Sequence, residues 1–314
     1  MLSKQCGVAA TDQLVSAGAA RPLLDRAVAE GFLERRGPRL IVDPRWSSGG
    51  ETRADWKRQL FMEFCGCAPR QRATAAVFRR SAACLWDLDG VTTPNGTPPV
   101  EIAVSMGRRP AGKLFLVRPF ALDERSELEG LPVTSVTRTL MDLGQVVDQD
   151  VIERALESAL RRHYVTVGDL AAALSQVHRL PGTNALRSLI AERPPGLPPT
   201  ESDAETLFVQ LARRAGLPPP RRQFCVPTAE GTFRTDFAWP LVRIAVEIDG
   251  AATHASARAL TRDLRRQNAV IVALAAAGWI LLRFTWYDLA AEPYAGQSAA
   301  KLLEAWSIGL ARTR

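Results

Sequence analysis

The stretch RTDFAWPLVRIAVEIDGAATH, residues 234–254, constrains this chain more than any other. Residues 232–239 and 243–249 both read as strands, and Pro240-Leu241-Val242 reads as a tight link between them. If Pro240 pairs with Arg243, the register sets Asp236 opposite Glu247, and Asp249, two residues on, shares the face of Glu247. Side chains opposed in this way lie roughly 4.5–5.5 Å apart at Cβ, where like charges repel. A hairpin built from Val, Ile and Phe gains nothing from such a cluster unless a cation occupies it. Hard divalent ions such as Mg²⁺ or Mn²⁺ take carboxylate oxygens and keep positions open for substrate phosphate. The expectation is a metal-dependent phosphodiesterase site. Asp236 and Glu247 would be its metal ligands, with Asp249 in support. His254 follows the hairpin and is the only histidine in the C-terminal part of the chain. With an ordinary pKa of about 6.5, an imidazole there suits proton transfer. The competing reading is structural, since acids at strand ends are usually solvated. A slip of one residue would also put Asp236 and Glu247 on opposite faces.

The rest of the chain narrows the partner. Lys+Arg number 40 against 33 Asp+Glu, a net charge of +7, which favours a polyanion such as DNA. Lysine occurs only at Lys4, Lys57, Lys113 and Lys301, so arginine supplies nearly all of the positive charge. Arginine suits bidentate phosphate binding, although a compositional bias would give the same result. Five scattered cysteines lack zinc-site spacing and are expected as buried free thiols in a reducing compartment. The segment MLSKQCGVAATDQ has no apolar core of signal-peptide type. The longest uncharged apolar run, 269–282, spans 14 residues, short of the roughly 18 that cross a bilayer. A cytoplasmic protein with no membrane partner and no small-molecule cofactor is expected.

The fold class expected is mixed α/β (α+β), in four segments. Residues 1–45 read as a small winged helix. In it Thr11-Asp12 caps a helix through Val15, a turn follows at 16–19, and a second helix covers 21–31 with Leu23, Leu24, Ala27 and Val28 on its buried side. Residues 32–33 and 40–42 flank a basic wing containing Arg35, Arg36 and Arg39, which would touch phosphate while the second helix meets a groove. Residues 46–192 read as a mixed region with a helix over 73–88, strands at 100–104 and 113–118, and helices over 136–143, 150–162, 166–177 and 182–192. Its histidines, His163 and His178, read as surface residues. Four prolines and a glycine make 193–200 a semi-rigid spacer. Residues 201–314 follow as α-β-β-β-α-β-α. A helix capped by Thr200 or Ser202 runs to Ala215, with strands at 224–226 and in the hairpin, a helix over 256–277, a strand over 279–285 and a last helix over 296–310.

Residues 201–289 resemble the very-short-patch-repair endonuclease-like branch of the PD-(D/E)xK nucleases, and within it the group known as domain of unknown function 559. The carriers are Glu201 and Glu205 on the first helix, RTDFAWP at 234–240, AVEIDGAATH at 245–254, TRD at 261–263 and GWILLRFTW at 278–286. The resemblance implies a restriction-endonuclease-like fold with Asp236 as first metal-binding aspartate, Glu247 and Asp249 as the second acidic cluster, and His254 as the histidine after the turn. Glu205 and Asp263 would support the site, and Arg262, Arg265 and Arg266 would hold phosphates beside it. The chain departs from the wider superfamily at the motif lysine, whose slot carries Asp249. Residues 1–190 resemble the AbiEi-type antitoxins of type IV toxin–antitoxin systems, through the winged-helix pattern, GLPVTSVTRTLMDL at 130–143 and ERALESALRR at 153–162. That resemblance implies a DNA-binding tendency and a toxin as partner. Three functions stay open on the sequence: an endonuclease-like hydrolase, a non-catalytic nucleic-acid-binding regulator or antitoxin, and a protein-interaction module.

Overall fold

The structure, a computed structural model, describes residues 1–91, 96, 98–104, 114–116, 120–177, 180–229, 231–249 and 257–313; for 114–116, 122 and 257–266 it describes the backbone alone. The described residues form a mixed α/β protein with thirteen α-helices and three small sheets. The chain divides into two compact units, Met1–Arg193 and Pro194–Arg314, and the division falls where the sequence places its proline spacer.

The first unit opens with β1 (Val8–Ala10), α1 (Thr11–Ser16), α2 (Arg21–Ala29), β2 (Glu34–Arg36) and β3 (Leu40–Val42). The strands form an antiparallel sheet in the order β1-β3-β2. Leu14, Leu24, Ala9 and Ile41 close a small core beneath the two helices. Several local expectations need correction. Thr11-Asp12 does not cap α1: Ala10 is the N-cap, and its N–H donates to Gln13 Oε1 at 3.0 Å. Leu23 is 62% exposed, because the narrow core holds Leu24 and leaves no room for its neighbour. The basic segment read as the wing itself carries a strand, Glu34–Arg36, with Gly37 (φ +73) turning the chain.

The unit continues through α3 (Thr52–Gly66), α4 (Pro69–Arg72), β4 (Ala76–Val77), α5 (Arg79–Leu85), β5 (Ile102–Val104), β6 (Leu114–Leu116), β7 (Arg125–Leu128) and β8 (Leu131–Thr134). It ends with α6 (Val136–Leu143), α7 (Gln149–Arg161), α8 (Val167–Ser175) and α9 (Thr183–Ala191). The expected single helix over 73–88 is broken. Ala76 and Val77 form the middle strand of a sheet ordered β6-β5-β4-β8-β7, and Arg79, at φ 52, separates that strand from α5. Helical propensity along 73–88 loses to the burial of Ala75–Phe78, all at most 1% exposed. β1 and β7, which the sequence left unread, also complete these sheets. Val8, Ala10, Leu40 and Val42 share one core with Trp56, Leu60 and Phe61, so 1–45 and the region after it bury a common surface. Gly144 and Gly182 meet backbone to backbone, where a Cβ on Gly144 would lie 1.9 Å from Gly182 O. His163 is exposed, as expected; His178 lies outside the described residues.

The second unit contains α10 (Asp203–Arg214), β9 (Arg221–Thr228), β10 (Gly231–Trp239), β11 (Ile244–Asp249), α11 (Ala257–Ala276), β12 (Ile280–Thr285), α12 (Trp286–Ala290) and α13 (Tyr294–Thr313). The sheet order is β12-β11-β10-β9, with β11 and β12 parallel and the other pairs antiparallel. The sequence expectation matches this order of elements, apart from the short α12 and a longer β9. Phe208 of α10 packs on Phe237, Trp239 and Phe284, with ring centroids 4.9, 6.1 and 5.8 Å away. Fully burying one such ring is worth about 1.5–3 kcal/mol. Among the cysteines, Cys65, Cys67 and Cys84 are buried as expected, whereas Cys225 is exposed because β9 is a sheet edge.

The motif at 130–143 places a charge inside the first unit. Arg138 is 3% exposed; its Nε donates to Asp142 Oδ2 and its Nη1 to Glu124 Oε1, both at 2.8 Å. The guanidinium also stands 5.0 Å from the Phe120 ring centroid. Burial pushes the Asp142 carboxyl up, and Arg138 opposes that rise. Removing one member of a buried ion pair strands the other, at a cost of about 3–5 kcal/mol. Arg138→Ala is expected to lose about that much stability in urea denaturation, with the Arg138→Met/Asp142→Leu double variant recovering a large part of it.

Candidate functional site

The site grows from the start of α10. Ser202 Oγ accepts the N–H of Glu205 at 3.1 Å, and Glu205 Oε2 accepts the N–H of Glu201 at 2.8 Å, a reciprocal cap that fixes the carboxyl at the head of the helix. Glu205 stands three residues before Phe208 and so shares its side of the helix. The ring that anchors α10 to the sheet therefore draws Glu205 inward, and the residue is 5% exposed.

β10 brings Asp236 to the same place. It pairs with β11 through Phe237↔Val246, Ala238↔Ala245 and Trp239↔Ile244. This is the register expected from the sequence, and its paired residues end at Phe237↔Val246, one step short of Asp236 and Glu247. There the backbone ladder gives way to a side chain: Asp236 Oδ2 accepts the N–H of Ile248 at 2.7 Å. On the other flank, Thr235↔Phe224 and Phe237↔Arg222 leave Asp236 facing Gln223, which adopts φ 51. Gln223 Nε2 donates to Glu205 Oε2 at 3.4 Å, and its Oε1 is buried with no hydrogen-bond partner. Glu201, at the rim, pairs with Arg234 at 2.7 Å.

Burial pushes the Glu205 carboxyl up to about 7, and the nearby charges of Asp236 and Glu201 push the same way. Burial also raises Asp236, while the Ile248 N–H and the Gln223 amide favour its charged form. Two acids thus stand together with neutral hydrogen-bond donors between them.

The second acidic pair behaves differently. In the parallel ladder Glu247 lies beside Arg283, and Asp249 beside Thr285. Arg283 Nε donates to Asp249 Oδ2 at 3.1 Å and its Nη2 to Oδ1, while Nε stands 3.8 Å from Glu247 Oε2. Asp249 is therefore held as one half of a two-pronged ion pair. Sequence reasoning missed Arg283 and Gln223. Arg283 is signalled by a lone charge within the apolar run WILLRFTW; nothing in the sequence marks Gln223, whose role comes from its left-handed backbone.

The other expected residues do not join this cluster in the described part of the protein. His254 lies outside the described residues, as do the side chains of Arg262, Asp263, Arg265 and Arg266 on α11. In the first unit Arg35 pairs with Asp25 at 2.6 Å and Arg36 with Glu34 at 3.0 Å, whereas Arg39 is exposed.

Glu205 and Asp236 offer hard oxygens at raised pKa, and the unpartnered Gln223 Oε1 is a third hard oxygen nearby, so this donor set fits a divalent cation in its chemistry. Among the described residues, however, no group of three or more His, Cys, Asp or Glu side chains could hold a metal ion. No family model matches the chain, and no curated protein matches its sequence. No helix among the described residues is long and apolar enough to cross a membrane.

The raised Glu205 gives a signed pH dependence. Its pKa lies near 4.5 in the unfolded chain and about 7 when folded, so between those values the folded state binds more protons and stability falls as pH rises. Glu205→Gln is expected to flatten this slope in urea melts from pH 4.5 to 8. Added Mg²⁺ is expected to reduce the slope in the parent protein and leave the variant unchanged.

Proposed function

We propose that this chain is a DNA-directed protein whose second unit is a metal-dependent phosphodiesterase of the restriction-endonuclease-like type, behind an antitoxin-like, winged-helix front end. The supporting observation is the buried Glu205 carboxyl held beside the half-buried Asp236 at the point where the β10–β11 ladder ends. Holding a buried carboxyl beside a half-buried one without a cation is unfavourable. A nuclease site gives that arrangement a purpose.

In this reading Asp236 and Glu247 hold Mg²⁺ or Mn²⁺, with Glu205 and Asp263 in support. Such an ion would acidify a bound water and neutralise charge on the phosphate under attack. Gln223 keeps Glu205 and Asp236 aligned, and Arg283 fixes the acidic end of β11 through Asp249. His254 takes the role of proton acceptor, which the usual motif lysine would otherwise assist. Arg262, Arg265 and Arg266 bind phosphates beside the cut site, and Arg35, Arg36 and Arg39 extend the contact from the wing.

A second reading keeps the fold and removes the chemistry: a regulator or antitoxin whose nuclease-like unit binds nucleic acid, with a toxin as protein partner. Asp249 in the lysine slot and its capture by Arg283 favour it. Plasmid incubated with Mg²⁺ or Mn²⁺ separates the two. Nicking by the parent that Asp236→Ala reduces at least a hundredfold supports the enzyme. A gel shift by both proteins without cleavage supports the regulator.

A further inference from the structure

The first unit carries a cleft of about 410 Å³ that the carboxylate site does not involve. It lies between the head of α1, the head of α2 and the β2–β3 turn, and Thr11, Asp12, Arg21, Asp25, Arg35 and Arg39 line it. The N–H of Thr11 donates to the Arg39 carbonyl at 2.8 Å, which ties the turn to α1 and sets these side chains around one space. Its volume is in the range of sites that take small ligands.

Charge in the cleft is unbalanced once its internal pairs are made. Asp25 is bound to Arg35 at 2.6 Å. Asp12 is bound to Arg72, whose other nitrogen donates to the carbonyls of Cys65 and Cys67 at 3.1 and 3.2 Å. Both acids are thereby committed. Arg21 and Arg39 have no ion-pair partner among the described residues, so two guanidinium groups face the space with their donors unspent. A third donor joins them: Thr11 Oγ1 is buried and makes no hydrogen bond. A buried hydroxyl left unsatisfied lowers stability, and an acceptor oxygen bound in the cleft would satisfy this one. Two forked cations and one hydroxyl donor match a tetrahedral oxyanion, which guanidinium binds with two parallel hydrogen bonds.

We infer that this cleft is a phosphate-binding site, in which Arg21 and Arg39 grip a phosphoryl group and Thr11 donates its hydroxyl to a third oxygen. The inference uses no residue of the second unit; it shares Arg39 with the wing contact proposed above and in its nucleic-acid form rests on that front-end reading, whereas binding of a free phosphorylated ligand does not. The phosphoryl group can belong to a nucleic-acid backbone or to a free phosphorylated small molecule, and both offer the same oxygens.

The full chain is titrated with inorganic pyrophosphate and, separately, with a 20-base-pair duplex, in EDTA so that no cleavage intervenes. Parent, Arg21→Ala, Arg39→Ala and Thr11→Val are compared. Each variant is expected to weaken binding of the recognised probe at least fivefold. For a duplex, each arginine variant should also lower the slope of log affinity against log salt by about 1. Thr11→Val gives a signature that damage to the fold cannot imitate: its melting temperature without ligand should rise, since an unsatisfied hydroxyl is gone, while its binding falls. Pyrophosphate binding that the duplex does not displace assigns the site to a free phosphorylated ligand; duplex binding that pyrophosphate competes for assigns it to the nucleic-acid backbone. Parent protein that binds neither probe, or arginine variants that bind like the parent, overturns the inference.

Discussion

A shift of one residue between β10 and β11 would undo the second unit. Side chains alternate across a strand, so such a slip would turn Phe237, Trp239, Ile244 and Val246 out of the core they share with α10. The register is held from both ends. At the turn, Pro240–Val242 makes a short 3-10 segment closed by Arg243 in a left-handed conformation (φ 51). Above it, α13 presses Gly309 so close that a Cβ there would lie 2.6 Å from Val242 O. At the far end the Asp236 carboxylate takes the Ile248 N–H in place of the next backbone pair. The apolar face and the acidic end of this hairpin are therefore one structural fact, and the carboxylates are placed by the packing of the rings beneath them.

The two units treat buried charge in opposite ways. In the first, Arg138 is matched by Asp142 and Glu124, Arg193 by Glu157 at 2.6 Å, and Glu101 by Arg80 at 2.9 Å. In each, a buried ion meets a counter-charge at hydrogen-bond distance, although Arg80, Arg193 and Glu124 are only partly buried. In the second, Glu205 and Asp236 are two acids beside each other with Gln223 between them; the charge of Arg234 favours the ionised Asp236, but its ion pair is with Glu201. Uncompensated burial of this kind is concentrated at functional sites, where a perturbed carboxyl is useful. Among the described residues no ion pair is made by Glu205 or Asp236, in contrast with the buried acids of the first unit.

Much of this was legible in the sequence, and the misses have physical causes. The hairpin, its register and the first helix were readable because alternation, a proline-led turn and a capping hydroxyl are local signals, although only the structure chose Ser202 over Thr200 as the cap. The helix expected over 73–88 failed because Ala76 and Val77 are claimed by a sheet whose other strands lie far along the chain, and Leu23 came out exposed because only one leucine of the pair fits over Ile41. Gln223 and Arg283 could not be read from spacing: one acts through a left-handed backbone angle in a strand, the other through a parallel neighbour 34 residues from Asp249.

By itself, then, the sequence determined the alternation that makes β10 and β11, the acids they carry, the arginine-rich charge and the proline spacer at which the two units divide. These depend on neighbours within a few residues, and their physics is complete at that range. Tertiary structure alone decided which acids are buried and which are neutralised. Glu205 reaches Asp236 because Phe208 docks on the sheet, Asp249 is captured because β12 lies parallel to β11, and Arg21 and Arg39 make no ion pair among the described residues while Asp25 and Asp12 are bound by other arginines. Each outcome depends on desolvation and on partners distant in sequence, and only the folded chain brings those together.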